Sequence, residues 1–126
     1  MTYKVKVSLK KTIVNPMICV ICGSKKNLHP RGHVIVGATN REVLNYSGMF
    51  YFPVCDKCSS KSREIFHKKN RFRTKEEKSF LNLYEKKSVY CRLHYRPLFG
   101  IKSATFTFNL REFAEEFERI NYDALI

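Results

Sequence analysis

The sequence predicts an α+β domain with antiparallel strands, a C-terminal β-hairpin and two to three helices. Two C-x2-C pairs, Cys19/Cys22 and Cys55/Cys58, have the spacing of metal ligands. Several runs alternate apolar and polar residues, which is typical of half-buried strands. The predicted strands and helices do not alternate regularly along the chain, as a parallel α/β sheet would require, and this favours the α+β class.

The two cysteine pairs predict one structural zinc site. Four thiolates form a tetrahedral set that suits Zn²⁺, and a site with four cysteine ligands leaves no open position for a substrate. Gly23 follows the first pair, where a tight turn favours a residue that adopts positive φ at low cost. Chance spacing or disulfide pairing is the alternative. With a strand before the first pair and a helix after the second, the chain is similar to treble-clef and zinc-ribbon modules.

Length and composition limit the class of protein. The 126 residues fit one domain, with a zinc-knuckle half of about residues 1–73 and a helix–hairpin–helix half of about residues 74–126. The hydrophobic fraction of 44% excludes a disordered chain. No apolar run approaches the ~20 residues of a membrane span, and no signal-peptide pattern opens the sequence. We therefore expect an intracellular, cytoplasmic protein without a membrane partner, whose thiols bind metal.

The charge is strongly positive and unevenly distributed. Lys and Arg number 24 against 11 Asp and Glu, which gives a net charge of +13. Residues 1–108 carry 22 basic and 6 acidic side chains, whereas residues 109–126 carry 2 and 5. Such a field attracts polyanions, so nucleic acid is the expected partner. The alternatives are a basic protein whose charge only maintains solubility and a thermophile protein with a Lys-rich surface.

The zinc-knuckle half is predicted to contain short strands followed by a helix. The strands are indicated by alternation or by short apolar runs at residues 3–9, 12–14, 33–38 and 49–53. Residues 24–32 have the composition of a loop, and residues 39–48 form a polar connection. The helix is expected after Cys58, with Ile65 and Phe66 as its apolar anchors.

The second half begins with a predicted helix and a hairpin. Thr74 and Glu77 have the spacing of a capping box, in which each side chain binds the backbone N–H of the other residue. The helix behind them is expected to end near Lys87, where a positive charge is favourable. Residues 88–95 and 104–108 then alternate apolar and polar side chains, which predicts the two strands of the hairpin.

A final helix is predicted to close the domain. Asn109 and Glu112 suggest a second capping box at its start. Its apolar residues have core spacing: Leu110, Phe113, Phe117 and Ile120. Its outer face is acidic: Glu112, Glu115, Glu116 and Glu118. This face would repel phosphate and could meet a basic protein partner, or it is an ordinary solvated helix face.

A basic and aromatic segment is the candidate nucleic-acid surface. Residues 57–78 hold nine basic and three acidic side chains. Lys and Arg neutralise phosphates, and exposed rings stack on unpaired bases, which favours RNA or a ribonucleoprotein over duplex DNA. The predicted contacts are Lys57, Lys61, Arg63, Lys68, Lys69, Arg71, Phe72 and Arg73, with Lys25, Lys26 and Arg31 and the N-terminal Lys4, Lys6, Lys10 and Lys11 extending the surface. Alternatively, the rings belong to the core and the charges to a solvated helix face.

A second metal site is a weaker alternative. Cys91 and His94 have the spacing of a ligand pair, and His29 and His33 follow the first cysteine pair. However, Cys91 and His94 lie on a predicted strand, where residues three apart face opposite sides. We therefore expect Cys91 to be a small buried hydrophobic residue.

The cysteine pairs also carry a family resemblance, together with the residues that surround them. The relevant stretches are Cys19 to His29, Gly32-His33-Val34, Phe52 to Cys58, and His67. They resemble the zinc-finger form of HNH endonucleases, most closely the HNH domains appended to group II intron maturases. The resemblance implies a structural zinc at the cysteine pairs. It also implies a histidine pair between them that supplies a general base and a ligand for a catalytic divalent ion.

The sequence departs from that family at the catalytic centre. Gly32 precedes His33, so only the general-base position is kept. Ser59 follows the last cysteine where the family has a histidine, and His67 lies about one helical turn too far along. Without ligands an ion cannot activate or orient a nucleophile, so the resemblance implies a degenerate centre. Two alternatives to a nucleic-acid-binding module therefore remain. One is an HNH-like metal-dependent nuclease that uses His33, and the other is a protein-interaction subunit of a larger assembly.

Overall fold

The chain adopts an α+β fold, as predicted. The computed structural model describes the backbone of residues 1–39, 47–96, 98 and 100–126, and the side chains of these residues except 29–39, 47–49, 95–96 and 101. The described strands are β1 (Tyr3–Ser8), β2 (Leu28–Thr39), β3 (Ser47–Cys55), β4 (Val89–Arg96) and β5 (Gly100–Phe108). The described α-helices are α1 (Asp56–His67), α2 (Lys75–Asn82) and α3 (Arg111–Ile120). None of the described helices is both long enough and apolar enough to cross a bilayer.

The strands form two antiparallel sheets. β5 lies between β1 and β4 in a three-stranded sheet, while β2 and β3 form a two-stranded sheet. In the larger sheet Val5 pairs with Phe106, which pairs in turn with Cys91, so these three side chains share a face. The predicted C-terminal hairpin is confirmed as β4 and β5.

The core is rich in phenylalanine. Its largest fully buried side chains include Phe52, Phe106, Phe108, Phe113 and Phe117. The ring of Phe52 meets the rings of Phe106, Phe108 and Phe113 at centroid distances of 5.8–5.9 Å, at steep angles that aromatic pairs favour. One hydrophobic cluster therefore contains residues of β3 from the N-terminal half and residues of β5 and α3 from the C-terminal half.

The strand predicted at residues 12–14 is absent from the described backbone. Both edges of β1 already have partners, because β5 pairs along one edge and the C-terminal residues reach the other. There Val7 forms a bridge with Leu125, and the N–H of Ile126 donates to the carbonyl of Lys6 over 3.2 Å. Val14 instead pairs with the side chain of Asn121.

Two element starts near the cysteine pairs and one expected core residue differ from the prediction. β2 begins at Leu28, inside the predicted loop 24–32, because Leu28 pairs with Cys55 of the second cysteine pair. α1 begins at Asp56, before Cys58 rather than after it. Phe66 is not a core anchor: it is 62% exposed, since it follows the buried Ile65 and points away from it on the helix. Residues 40–46 of the predicted polar connection lie outside the described residues.

The two predicted capping boxes have different outcomes. At α2 the box is confirmed, because Thr74 Oγ1 accepts from the N–H of Glu77 while the Glu77 carboxylate accepts from the N–H of Thr74. A π-helical turn, Leu83–Lys87, continues α2 to the predicted end. At α3 the prediction is wrong. Leu110, not Asn109, is the N-cap, and the N–H of Asn109 extends the pairing of the sheet by donating to the carbonyl of Ser88.

Candidate metal centre and basic segment

The first cysteine pair lies on a tight knuckle closed by backbone hydrogen bonds. The N–H of Cys19 donates to the carbonyl of Ser24 over 2.8 Å, and the N–H of Gly23 donates back to the carbonyl of Cys19 over 2.9 Å. The N–H of Ile21 donates to Cys19 Sγ over 3.4 Å. Gly23 has φ +80°, as the sequence predicts. A Cβ at Gly23 would lie 2.9 Å from Glu112 Oε2, so the knuckle also packs closely against α3.

The second cysteine pair lies at a junction between a strand and a helix. Cys55 is the last residue of β3 and Cys58 is in the first turn of α1. Two hydrogen bonds hold the pairs together: the N–H of Val20 donates to the carbonyl of Pro53 over 2.9 Å, and the N–H of Asp56 donates to the carbonyl of Asn27 over 2.8 Å. Backbone contacts between the two pairs thus place all four cysteines at one site.

The four sulfurs form a compact cluster that could hold a metal ion. The Sγ atoms of Cys19, Cys22, Cys55 and Cys58 all lie within 4.8 Å of one another. The Sγ atoms of Cys22 and Cys55 are 3.6 Å apart, well beyond a disulfide bond, and all five cysteines are free thiols. Among the described side chains, these four cysteines are the one group of His, Cys, Asp or Glu residues whose ligand atoms are close enough together to hold a metal ion. Only Cys22 is exposed, so the cluster is open to solvent on one side.

Burial and close proximity oppose the ionisation of two of the four thiols. Burial raises the pKa of the Cys58 thiol, and the charge of Cys19 raises it further. Burial also raises the pKa of Cys22. At Cys55 burial works in the same direction, but the backbone N–H of Cys58 and the neighbouring thiols outweigh it and lower the pKa. Four thiols this close cannot all ionise without a compensating positive charge, which a metal ion would supply.

A metal site built on Cys91 and His94 has no support from their positions. Cys91 is 4% exposed, as predicted, and burial raises its pKa to about 12. His94 lies on the opposite face of β4, where its Nε2 is 2.7 Å from Thr105 Oγ1. His29 and His33 lie on β2, and their side chains are outside the described set. The prediction of His33 as a general base therefore stays a prediction.

Residues 57–73, hereafter the basic segment, form most of α1 and the turn that follows it. The exposed cations are Lys57, Lys61, Arg63, Lys68, Lys69 and Arg71. Phe66 and Phe72 are 62% and 63% exposed, so neither ring belongs to the core. The guanidinium carbon of Arg71 lies 4.8 Å from the centroid of the Phe72 ring. The segment therefore presents positive charge and two aromatic rings to solvent.

Three cations of the basic segment also bind within the protein. The Lys61 ammonium lies 4.3 Å from the centroid of the Phe80 ring, and Lys68 Nζ lies 2.8 Å from Glu77 Oε2. Arg73 is only half-buried, yet its guanidinium donates to the carbonyls of Ile65 and Phe66 over 3.0 Å each. These carbonyls lie at the C-terminal end of α1, so Arg73 stabilises the end of the helix.

Two of the other predicted contacts, Lys25 and Lys26, lie near the first knuckle. Lys25 and Lys26 are exposed on the loop that follows it. Lys25 faces the acidic helix α3, because its charge contributes, after the hydrogen bond from Arg119, to a lowered pKa of Glu116. Arg31 lies on β2 with its side chain outside the described residues. Lys25 is thus on a side of the knuckle that α3 shares.

The three-stranded sheet carries a second cationic surface that was not predicted from the sequence. Arg92 and the exposed ring of Tyr90 lie on the same face of the three-stranded sheet as Lys4 and Lys6. The signal was available, because on each strand these residues alternate with buried ones. The strand order that brings these residues together could not be predicted from the sequence.

Comparison with models of known protein families, with curated proteins and with solved structures finds no match for this chain. The resemblance to HNH endonucleases therefore has no support beyond the residues that suggested it.

Proposed function

We propose that this chain is a zinc-stabilised module that binds nucleic acid, and RNA in preference to duplex DNA. The observation that carries the proposal is the basic segment, in which six exposed cations accompany two exposed aromatic rings. Burial of a large aromatic ring is favourable, so two rings left in solvent on a cationic surface are best explained by a ligand that stacks on them.

Zinc is the metal that best suits the four cysteines. Zn–S bonds of about 2.3 Å place two sulfurs of a tetrahedral site about 3.8 Å apart. The 3.6 Å separation of Cys22 and Cys55 is close to that value. The donor set is entirely sulfur, which favours a soft or borderline ion over Mg²⁺ or Ca²⁺. Such an ion would be structural, since four cysteine ligands complete its coordination.

The proposed zinc site supports the basic segment directly. α1 begins at Asp56, between the two cysteines of the second pair, so the metal would fix the first turn of the helix that carries the cations. The shared hydrophobic cluster supports treating residues 1–126 as one module rather than two. A metal-dependent fold would thus determine where the charges lie.

The acidic helix gives less support to a protein-interaction subunit. Glu115 Oε1 lies 2.7 Å from Arg111 Nε, and Glu116 pairs with Arg119. Glu112 lies against Gly23 of the first knuckle. Much of the acidic charge of α3 is therefore compensated within the protein, and the exposed cations remain the stronger feature for recognition.

The test is salt-dependent binding of zinc-loaded protein to labelled single-stranded RNA, structured RNA and duplex DNA, with and without added Mg²⁺ or Mn²⁺. We expect affinity for RNA that falls steeply with salt and leaves the probe intact. Replacement of Lys69 and Arg71 by Gln should lower the salt slope by about two, because two phosphate contacts are lost. The matched control replaces Lys86 and Lys87, which are exposed on the π-helical turn.

Two outcomes would contradict the proposal. If no probe binds at physiological salt, the charge of +13 serves solubility and a protein partner becomes the better explanation. If the probes are cut in a metal-dependent manner and the cleavage is lost in His33→Ala, the chain is a nuclease.

A further inference from the structure

The three-stranded sheet has one buried and one open face. Side chains alternate between the faces along each strand, and the face that carries Val5, Val7 and Phe106 packs into the core. The other face carries the intervening residues. On β1 and β4 these are exposed: Lys4, Lys6, Tyr90 and Arg92. No helix is needed to cover this face, since its residues are polar.

The strand register arranges the open face in three rows. Lys4, Thr107 and Tyr90 form the first row, and Lys6, Thr105 and Arg92 form the second. The third contains Ser8, Ser103 and His94. Neighbouring strands are about 4.8 Å apart, so Lys6 and Arg92 are on the order of 10 Å apart across the central strand. Thr105 lies between Lys6 and Arg92, and Thr107 lies between Lys4 and Tyr90.

The face has a uniformly positive character. None of the three strands contains an acidic residue, whereas each contains at least one Lys or Arg. These charges affect His94. Burial lowers the pKa of His94, and the charges of Lys6 and Arg92 lower it further. With no acidic residue on its own strands, a face of this kind favours an anionic ligand.

We propose that the open face of the β1–β5–β4 sheet binds single-stranded nucleic acid, with Tyr90 as the stacking platform and Lys4, Lys6 and Arg92 as the phosphate contacts. Tyr90 is 60% exposed, lies across Thr107 from Lys4 and is two residues before Arg92 on β4, so an unpaired base can stack on its ring while the backbone follows the positive charges. A duplex keeps its bases stacked on each other and has no face to offer Tyr90. This inference rests on the proposed function and assigns that function a second surface.

The experiment measures binding of a labelled oligouridylate to zinc-loaded protein by fluorescence anisotropy over a series of salt concentrations. Tyr90→Ala should weaken binding about tenfold, the effect of one lost stacking contact. The double variant Lys6→Gln/Arg92→Gln should lower the salt slope by about two. Tyr122→Ala is the matched control, because Tyr122 is another exposed tyrosine, at 76%, outside the sheet. Thermal melting confirms that each variant is folded.

The outcomes separate this inference from the function on which it rests. Loss of affinity in Tyr90→Ala with unchanged affinity in Tyr122→Ala supports the open face. If the wild type binds RNA but both sheet variants bind equally well, the inference is overturned, and the proposed function stands with the basic segment alone. If polyglutamate competes as well as RNA, or duplex DNA binds more tightly than the oligouridylate, the single-strand assignment is wrong. If the wild type binds no probe, the proposed function itself has failed.

Discussion

The side-chain amide of Asn121 hydrogen-bonds both backbone polar groups of Val14, 107 positions earlier in the chain, as the backbone of a neighbouring strand would. The N–H of Val14 donates to Asn121 Oδ1 over 2.8 Å, and Asn121 Nδ2 donates to the carbonyl of Val14 over 2.8 Å. The same Nδ2 donates to the carbonyl of Phe117 over 2.9 Å. Asn121 is 4% exposed, so the end of α3 holds the segment that leads into the first knuckle.

Loss of this amide should destabilise the protein. Asn121→Ala leaves the backbone groups of Val14 without their partner, and we expect the free energy of unfolding to fall by about 2 kcal/mol. Asn121→Asp should cost more, because a carboxylate would face the carbonyls of Val14 and Phe117. Urea unfolding of the zinc-loaded protein measures both. Asn109→Ala is the control: Asn109 is exposed and does not cap α3, so its effect should stay within about 0.5 kcal/mol. An equal loss in both variants would contradict the assignment.

Local signals in the sequence predicted local structure. The capping box of Thr74 and Glu77 involves residues three apart, so the sequence contains everything that determines it. The turn at Gly23 is similar, since the knuckle closes within a few residues. The cap predicted at Asn109 failed although its pattern is also local. The carbonyl of Ser88 accepts a hydrogen bond from the backbone N–H of Asn109, which extends the sheet pairing, and the helix cap lies one residue later than predicted.

Features that join distant segments could not be predicted in this way. Alternation alone shows that Lys6 and Arg92 face outward on their strands. Only the strand order, with β5 in the centre, places them in one row through Thr105. The pairing of Val14 with Asn121 is equally non-local, so the short run at residues 12–14 predicted a strand that the described backbone does not form. The cysteine pairs are the exception, because metal-ligand spacing carries information about a site assembled from two separate segments.

The cysteine cluster should be required for the fold. Cys55→Ser removes a ligand, and we expect loss of the metal and a large fall in the melting temperature, since metal binding contributes folding energy in small domains. Elemental analysis should find one zinc per wild-type chain and none in the variant. Cys91→Ala is the control, because Cys91 is buried outside the cluster and its replacement should keep the metal. A Cys55→Ser protein that melts at the wild-type temperature would exclude a structural metal.

The positive charges of the open sheet face should lower the pKa that a titration of His94 measures. Its pKa is lowered from 6.5 by burial and by the charges of Lys6 and Arg92. The unfolded chain therefore binds more protons than the folded one below about pH 6.5, so stability is full above that pH and declines as pH falls through the lower folded pKa. NMR titration of the His94 ring should give a midpoint below 6.5. Lys6→Gln should raise that midpoint, and Lys86→Gln should leave it unchanged. A midpoint that does not respond to Lys6→Gln would place Lys6 away from His94.

Arg71 and Arg73 are neighbours in the basic segment, but the structure assigns them different roles. Arg73 donates to the last carbonyls of α1, whereas Arg71 lies against the exposed Phe72 ring. We expect Arg73→Gln to lower the free energy of unfolding by about 1–2 kcal/mol, because two hydrogen bonds from a charged donor are lost. We expect Arg71→Gln to leave stability unchanged and to lower the salt slope of RNA binding by about one.

The two arginine variants should be compared in the same pair of measurements, urea unfolding and salt-dependent binding of single-stranded RNA. A crossed pattern, with stability affected only by Arg73 and the salt slope only by Arg71, assigns one cation to the helix end and the other to the ligand. If Arg73→Gln lowers the slope without affecting stability, Arg73 leaves the helix carbonyls to bind phosphate. The hydrogen bonds to Ile65 and Phe66 would then belong only to the free protein.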